Sequence, residues 1–440
     1  MYGQPLRLTI VIITILNLGG CAVPSVNPLP SGEEILVKKA LEIHGRVLTL
    51  DTHVDFSPAN FTAERNYTQR LDTQLNLPKM DEGGLDAVFF SVYVRQTSEA
   101  QDPDAFKAAG YQRAYKAAIE KFDAIHRLVR QIAPDKIELA LDSADVRRIS
   151  AKGKKVALIG VENGYPMGED LSRVKEFYER GARYMSLAHN RHSQLSDSHT
   201  GEREGWKWHG LSPLGKQVIG EMNRLGLMID VSHVSKASML QSVALSKAPV
   251  IASHSSVRAL CNVSRNMDDE QLLALKKNGG VVQIVAYPTF IKTSEPDSPE
   301  RAAALSFLRK EFKLPDVSGA AQLAAGRAAL AWLSVGDRAQ YQKRLAEIDL
   351  KHPGDPPATV KEFVDHIDYA VKLVGSDHVG IASDFEGGGG VTGWSDASET
   401  FNVTLELVRR GYSEEQIEKL WGGNLLRVMD AVQRIGRELQ

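Results

Sequence analysis

Short apolar runs rich in β-branched residues alternate with segments of helical periodicity along most of this chain. Eight runs stand out: Val47–Asp55, Leu85–Val94, Val156–Glu162, Tyr184–His189, Leu225–His233, Pro249–His254, Gly280–Tyr287 and Val379–Asp384. Apolar runs of this length between turn signals predict strands buried on both faces, as in a parallel sheet. Between them, Asp104–Ala133 carries apolar residues at helical spacing. Leu211–Leu225 opens on Ser212-Pro213, a cap followed by proline in the first helical position, and Asp268–Lys277 begins acidic and ends basic. Strand–helix alternation of this kind predicts an α/β fold with a parallel sheet, and eight units predict closure into a (β/α)8 TIM barrel.

Three stretches depart from that rhythm. Phe56–Met80 is polar and irregular and is expected to lie over the barrel mouth. Pro288–Pro357, with an Ala-rich middle at Ser318–Gly336, reads as a helical insertion after strand seven, a decoration and not a second catalytic domain. At the N-terminus, Arg7 precedes an apolar run from Leu8 to Leu18, then Gly19-Gly20-Cys21. This order predicts a signal peptide over residues 1–20. The Leu18-Gly19-Gly20-Cys21 tetrad resembles a bacterial lipobox, so lipid attachment at Cys21 is expected, with residues 21–34 as a tether. Residues 35–440 then form one catalytic domain. The expected location is the bacterial cell envelope: exported, lipid-anchored, on a periplasmic or extracytoplasmic face.

Composition changes this picture little. The 440 residues are 43% hydrophobic and 25% charged, as in ordinary globular proteins, and the formal net charge is −2. No basic stripe argues for nucleic acid. Cys21 and Cys261 are the only cysteines. With Cys21 lipidated no intramolecular disulfide can form, and Cys261 reads as a small buried residue.

The chemistry is concentrated at the ends of the apolar runs. His53 and Asp55 lie two residues apart on a strand, so both can face one metal. Glu162 ends an otherwise apolar run, where a carboxylate is costly to bury unless a cation meets it; its two oxygens suit a bridge between two metals. His233 and His254 end successive runs and would supply the second metal's imidazoles. Asp384 precedes the glycines Gly387 to Gly390, which permit close backbone approach, and is placed to move a proton. His189 is positioned to polarise a substrate oxygen, and Arg265 could hold a carboxylate bidentately. His192 and His199 read as solvated or locally hydrogen-bonded. Four imidazoles and three carboxylates converging on one face suit a divalent-metal hydrolase with two metals.

With DTHVD, GVENGYP, GLSPLGKQVIGEMNRLGLMIDVSHVS, PVIASHSSVRALCNVSRNM, HVGIASDFEG and WGGNLLRV, the chain resembles the membrane dipeptidase (renal dipeptidase) family of zinc peptidases from about Leu41 to Ile435. The resemblance implies a TIM barrel with two Zn2+ per chain that cleaves dipeptides, including those with a C-terminal D-residue, through a metal-bridging hydroxide. It implies His53 and Asp55 as ligands of one zinc, His233 and His254 of the other, and Glu162 as the bridge. His189 then steadies the substrate oxyanion, Arg265 holds the substrate carboxylate, and Asp384 is the acid/base. A homodimer is compatible with the family. Val54 stands where Asn is often found, and Phe290 where some relatives offer Tyr. Competing readings are another binuclear-metal amide or lactam hydrolase, and a non-catalytic envelope binding lipoprotein. Barrels of the former kind often begin HxH with a carboxylated Lys as bridge, whereas this chain has HxD and Glu162.

Overall fold

A computed structural model describes residues 32–314 and 333–440. Cys21, the expected signal peptide and most of the expected tether lie outside the described residues, as does most of the Ser318–Gly336 stretch. Among the described residues there are nine strands: β1 (Leu50–Val54), β2 (Ala87–Tyr93), β3 (Ile137–Leu139), β4 (Lys155–Glu162), β5 (Ala182–Ser186), β6 (Met228–Asp230), β7 (Ile251–Ala252), β8 (Val281–Val285) and β9 (Val379–Ala382). All neighbours pair in parallel, in the order β1-β2-β4-β5-β6-β7-β8-β9, with β3 added beside β4. The ring closes just past β1 and β9. The Asp384 amide donates to the His53 carbonyl at 3.1 Å, and the Asp55 amide to the Phe385 carbonyl at 2.9 Å. The expected eight-stranded barrel is therefore present, with helices following the strands.

Every residue of β1, β5, β6, β7, β8 and β9 is buried, which explains their largely apolar character and leaves Asp51, His53 and Asp230 as buried polar groups. The barrel interior is filled by matching large residues with small ones. A Cβ on Gly160 of β4 would fall 1.9 Å from a ring carbon of Tyr184 on β5, so glycine makes the room that this ring occupies.

The helix starts follow their caps. Ser212 accepts from the Gly215 amide ahead of helix Pro213–Leu225, and Asp268 forms a capping box with Gln271 ahead of helix Asp269–Asn278. Several boundaries differ from expectation. Leu225 ends a helix instead of opening a strand, because Gly226 turns the chain at φ +75° and β6 begins at Met228. The Asp104–Ala133 pattern resolves into a helix at Ala108–Arg127 and a π turn at Leu128–Ile132. A helix at Gly32–His44 begins inside the segment expected as tether, and packs against helix Phe401–Arg409.

The insertion after β8, the seventh barrel strand, is helical where described, with helices Pro288–Ile291, Pro299–Glu311 and Val335–Lys351. Leu305, Leu308 and Tyr341 make its small core. Arg338 reaches Asp72 at 3.1 Å, joining the insertion to the irregular Phe56–Met80 segment. Among the described residues no helix is long and apolar enough to cross a membrane.

Candidate metal centre

The side chains singled out in the sequence meet at the C-terminal end of the barrel, the face where such folds place their chemistry. Glu162 is the last residue of β4, His53 lies within β1, and Asp55 follows β1 by one position. His189, His233, His254 and Asp384 sit two or three residues beyond β5, β6, β7 and β9. They belong to the turns that fold inward over the mouth more than to the strands themselves. Asn163, His233, Asp384 and Glu386 all have positive φ, between 57° and 74°. Non-glycine residues rarely hold that conformation, and such strain collects at functional sites.

Glu162 is the centre. Its Oε2 faces His53 Nε2 at 3.4 Å, while Oε1 faces His233 Nε2 at 2.9 Å and the Nε2 atoms of His254 and His189 at 3.5 Å each. One oxygen thus points to each side of the site. Three groups of ligand atoms lie close enough together to hold a cation: His53, Glu162 and His254; Glu162, His189 and His233; and His53, Asp55 and Asp384. A Cβ on Gly387 would lie 2.2 Å from Asp384 Oδ1 and 2.5 Å from Asp55 Oδ2, so the glycine-rich loop is what lets the backbone pass these carboxylates.

The hydrogen bonds behind the imidazoles decide which nitrogen each offers. The Tyr184 hydroxyl donates to the Thr52 carbonyl at 3.2 Å, so it accepts from His53 Nδ1 at 2.9 Å. Ser253 Oγ donates to Asp230 Oδ2 at 2.6 Å, so it accepts from His254 Nδ1 at 2.7 Å. His233 Nδ1 lies 2.9 Å from the Oδ1 acceptor of Asn190. Each ring therefore carries its proton on Nδ1 and turns an Nε2 lone pair inward. Two such lone pairs, of His233 and His254, stand 2.8 Å apart, and buried His53 Nε2 and Asp55 Oδ1 have no hydrogen-bond partner. Converging lone pairs and carboxylate oxygens without donors between them fit divalent cations.

The electrostatics assign further roles. Burial, reinforced by Arg265 and His53, lowers the His189 imidazole to about 4 despite the opposing pull of Glu162, so the ring is neutral and can donate a hydrogen bond. Burial pushes the Asp384 carboxyl well above its usual range; Asp55 and Glu162 add to this and His53 opposes it. Arg265 is buried, with its pKa lowered by that burial to about 10, and stays cationic. Its Nη1 and Nη2 donate to Ser255 Oγ and the His254 carbonyl at 2.7 Å each, and its Nε is unpartnered. Phe290 lies under this guanidinium at 5.5 Å and stacks on Tyr287 at 4.2 Å.

His192 is hydrogen-bonded locally, to the Gly205 carbonyl, whereas His199 is bonded to Asn190 and, against the expectation of a solvated or local partner alone, to Ser264 in a different loop. Sequence reasoning missed Tyr184, Asp230, Ser253 and Lys121. Lys121 is a buried lysine on helix Ala108–Arg127 whose Nζ donates to the Phe56 carbonyl at 3.1 Å, beside Asp55 and Glu162. Asp230 carried a readable signal, because a carboxylate inside the apolar run LGLMIDV stands out as Glu162 does.

Comparison with known proteins places the chain in a family. The family model described as membrane dipeptidase (peptidase family M19) matches residues 37–440. Dipeptidase aclJ of Aspergillus oryzae (strain ATCC 42149 / RIB 40) is 30% identical over 424 residues, covering 92% of this chain and 84% of that protein. Dipeptidase tcpJ of Claviceps purpurea (strain 20.1) is 31% identical over 369 residues, covering 84% and 71%. Among solved structures, the probable dipeptidase PvdM from Pseudomonas aeruginosa superposes with a TM-score of 0.73 at 34% identity, covering 91% of this chain and 99% of that one. A metallo peptidase from Rhodobacter sphaeroides shares the fold at a TM-score of 0.62 and 22% identity, covering 88% and 99%. This chain is a metallopeptidase that belongs to the membrane dipeptidase family, peptidase family M19.

Proposed function

We propose that this enzyme hydrolyses the peptide bond of dipeptides with two zinc ions, including dipeptides with a C-terminal D-residue. The observation that carries the reading is the division of the Glu162 carboxylate, one oxygen toward His53 and the other toward His233 and His254. In this reading His53 and Asp55 would hold one zinc and His233 and His254 the other, with Glu162 offering one oxygen to each. Bound there, zinc would supply Lewis acidity and lower the pKa of water at the site toward neutrality.

The chain's own residues do the rest. Arg265 takes the substrate's free carboxylate, which sets the distance from chain end to scissile bond and limits cleavage to short substrates. Neutral His189 donates to the carbonyl oxygen as negative charge grows there. Asp384 accepts the proton of the attacking water and returns it to the amine nitrogen as the C–N bond breaks. The Rhodobacter sphaeroides fold relative was liganded with a phosphinate mimic of the dipeptide L-Ala-D-Ala, which motivates the D-residue part of the reading. The test is Glu162→Gln with zinc content and turnover of L-L and L-D dipeptides measured together. Loss of both zinc and activity is expected; an active, zinc-replete variant contradicts the bridge.

The same reading includes an envelope location through lipid on Cys21, supported by the Leu18-Gly19-Gly20-Cys21 tetrad. Labelled fatty acid is expected to enter the wild-type chain and not Cys21→Ala; equal labelling contradicts the anchor.

A further inference from the structure

We propose that Asn190, His199 and Ser264 form a positioning chain that couples the zinc ligand His233 to the substrate-binding Arg265. The inference rests on the roles of His233 and Arg265 given above. Asn190 Oδ1 lies 2.9 Å from His233 Nδ1 and 2.9 Å from His199 Nε2, and His199 Nδ1 lies 2.9 Å from Ser264 Oγ. An amide oxygen only accepts, so both imidazoles donate to it. That fixes His233 with its Nε2 lone pair toward Glu162. It also leaves His199 Nδ1 as an acceptor, which the Ser264 hydroxyl fills. A single assignment of protons satisfies the whole chain.

The chain spans three loops of the barrel mouth. Asn190 and His199 belong to the loop after β5, His233 to the turn after β6, and Ser264 immediately precedes Arg265 after β7. The His199 amide also donates to the His233 carbonyl at 2.8 Å, and Ser198 bridges Val234. His233 holds a strained backbone at φ +67°, and these bonds fix its C-terminal side while Asn190 fixes its ring. On the far side, Ser264 fixes the backbone from which Arg265 extends, while Ser255 and the His254 carbonyl hold its guanidinium. Metal retention and carboxylate binding thus share one hydrogen-bonded support. Losing the outer partner of a metal-bound imidazole weakens metal affinity about 10–100-fold.

The experiment uses the full-length enzyme and the variants Asn190→Ala, His199→Leu, His199→Gln, Ser264→Ala and His233→Ala. Zinc affinity is read by chelator competition, and kcat and KM are read with one dipeptide. Asn190→Ala and His199→Leu are expected to lose about tenfold or more in affinity at one of two zinc sites. Ser264→Ala is expected to raise KM more than it lowers kcat. His199→Gln can donate to Asn190 through its amide and accept from Ser264 through its oxygen, and is expected to restore both properties. Asn190 is exposed, so its truncation opens no cavity and reports even if His199→Leu does not fold. Wild-type zinc affinity in Asn190→Ala together with unchanged KM in Ser264→Ala overturns the proposal. If His233→Ala keeps both zincs, the ligand assignment itself fails. If His233→Ala loses zinc while Asn190→Ala does not, only the positioning chain fails.

Discussion

Three imidazoles at this site are directed by residues that sit behind them, on the side away from Glu162. Tyr184 sets the tautomer of His53, Ser253 with Asp230 that of His254, and Asn190 that of His233. The ligand candidates themselves were legible because a carboxylate or imidazole closing an apolar run has few bland explanations. Their supports were not. His53 and Tyr184 are 131 positions apart, and no local pattern links a tyrosine in one strand to a histidine in another. At this scale the account makes a prediction for Asp384. Its raised pKa and its place beside His53 and Asp55 suit proton transfer. Asp384→Asn is expected to lower kcat by about 10²–10⁴-fold, the usual contribution of a general acid–base group, with zinc content retained. Normal kcat in a zinc-loaded variant removes Asp384 from the proton path.

At the scale of elements, the chain announced its strands by composition and its helices by their caps. Ser212 was readable because an N-cap side chain bonds within its own first turn, and the helix after Asp268 through its acidic start and basic end. Strand ends were less readable. β7 has only Ile251–Ala252 in the ladder, so His254 lies in a turn that sequence cannot separate from the strand. β3 is three residues long, too short to show a period. Gly160 on β4 shows how one element shapes another, since the absent side chain is what admits Tyr184 and, through it, orients His53. Gly160→Ala places a Cβ within the Tyr184 ring volume. It is expected to destabilise the fold by about 1–3 kcal/mol, as overpacked cores do, measured by urea unfolding. Unchanged stability contradicts the close approach.

At the scale of the whole molecule, eight parallel strands bring residues from both ends of the chain to one mouth. His53 and Asp384 come together because β9 closes against β1 through the pairs flanking Val54 and Phe385. Barrel closure was legible from eight strand–helix units. The tie between Arg338 and Asp72 was not, because it joins two irregular segments that carry no periodicity. The most direct test of the account is hydrolysis of a dipeptide by the purified enzyme before chelation, after chelation, and after zinc is returned. The account predicts turnover that chelation abolishes and zinc restores; turnover that persists in folded, metal-free protein would contradict it.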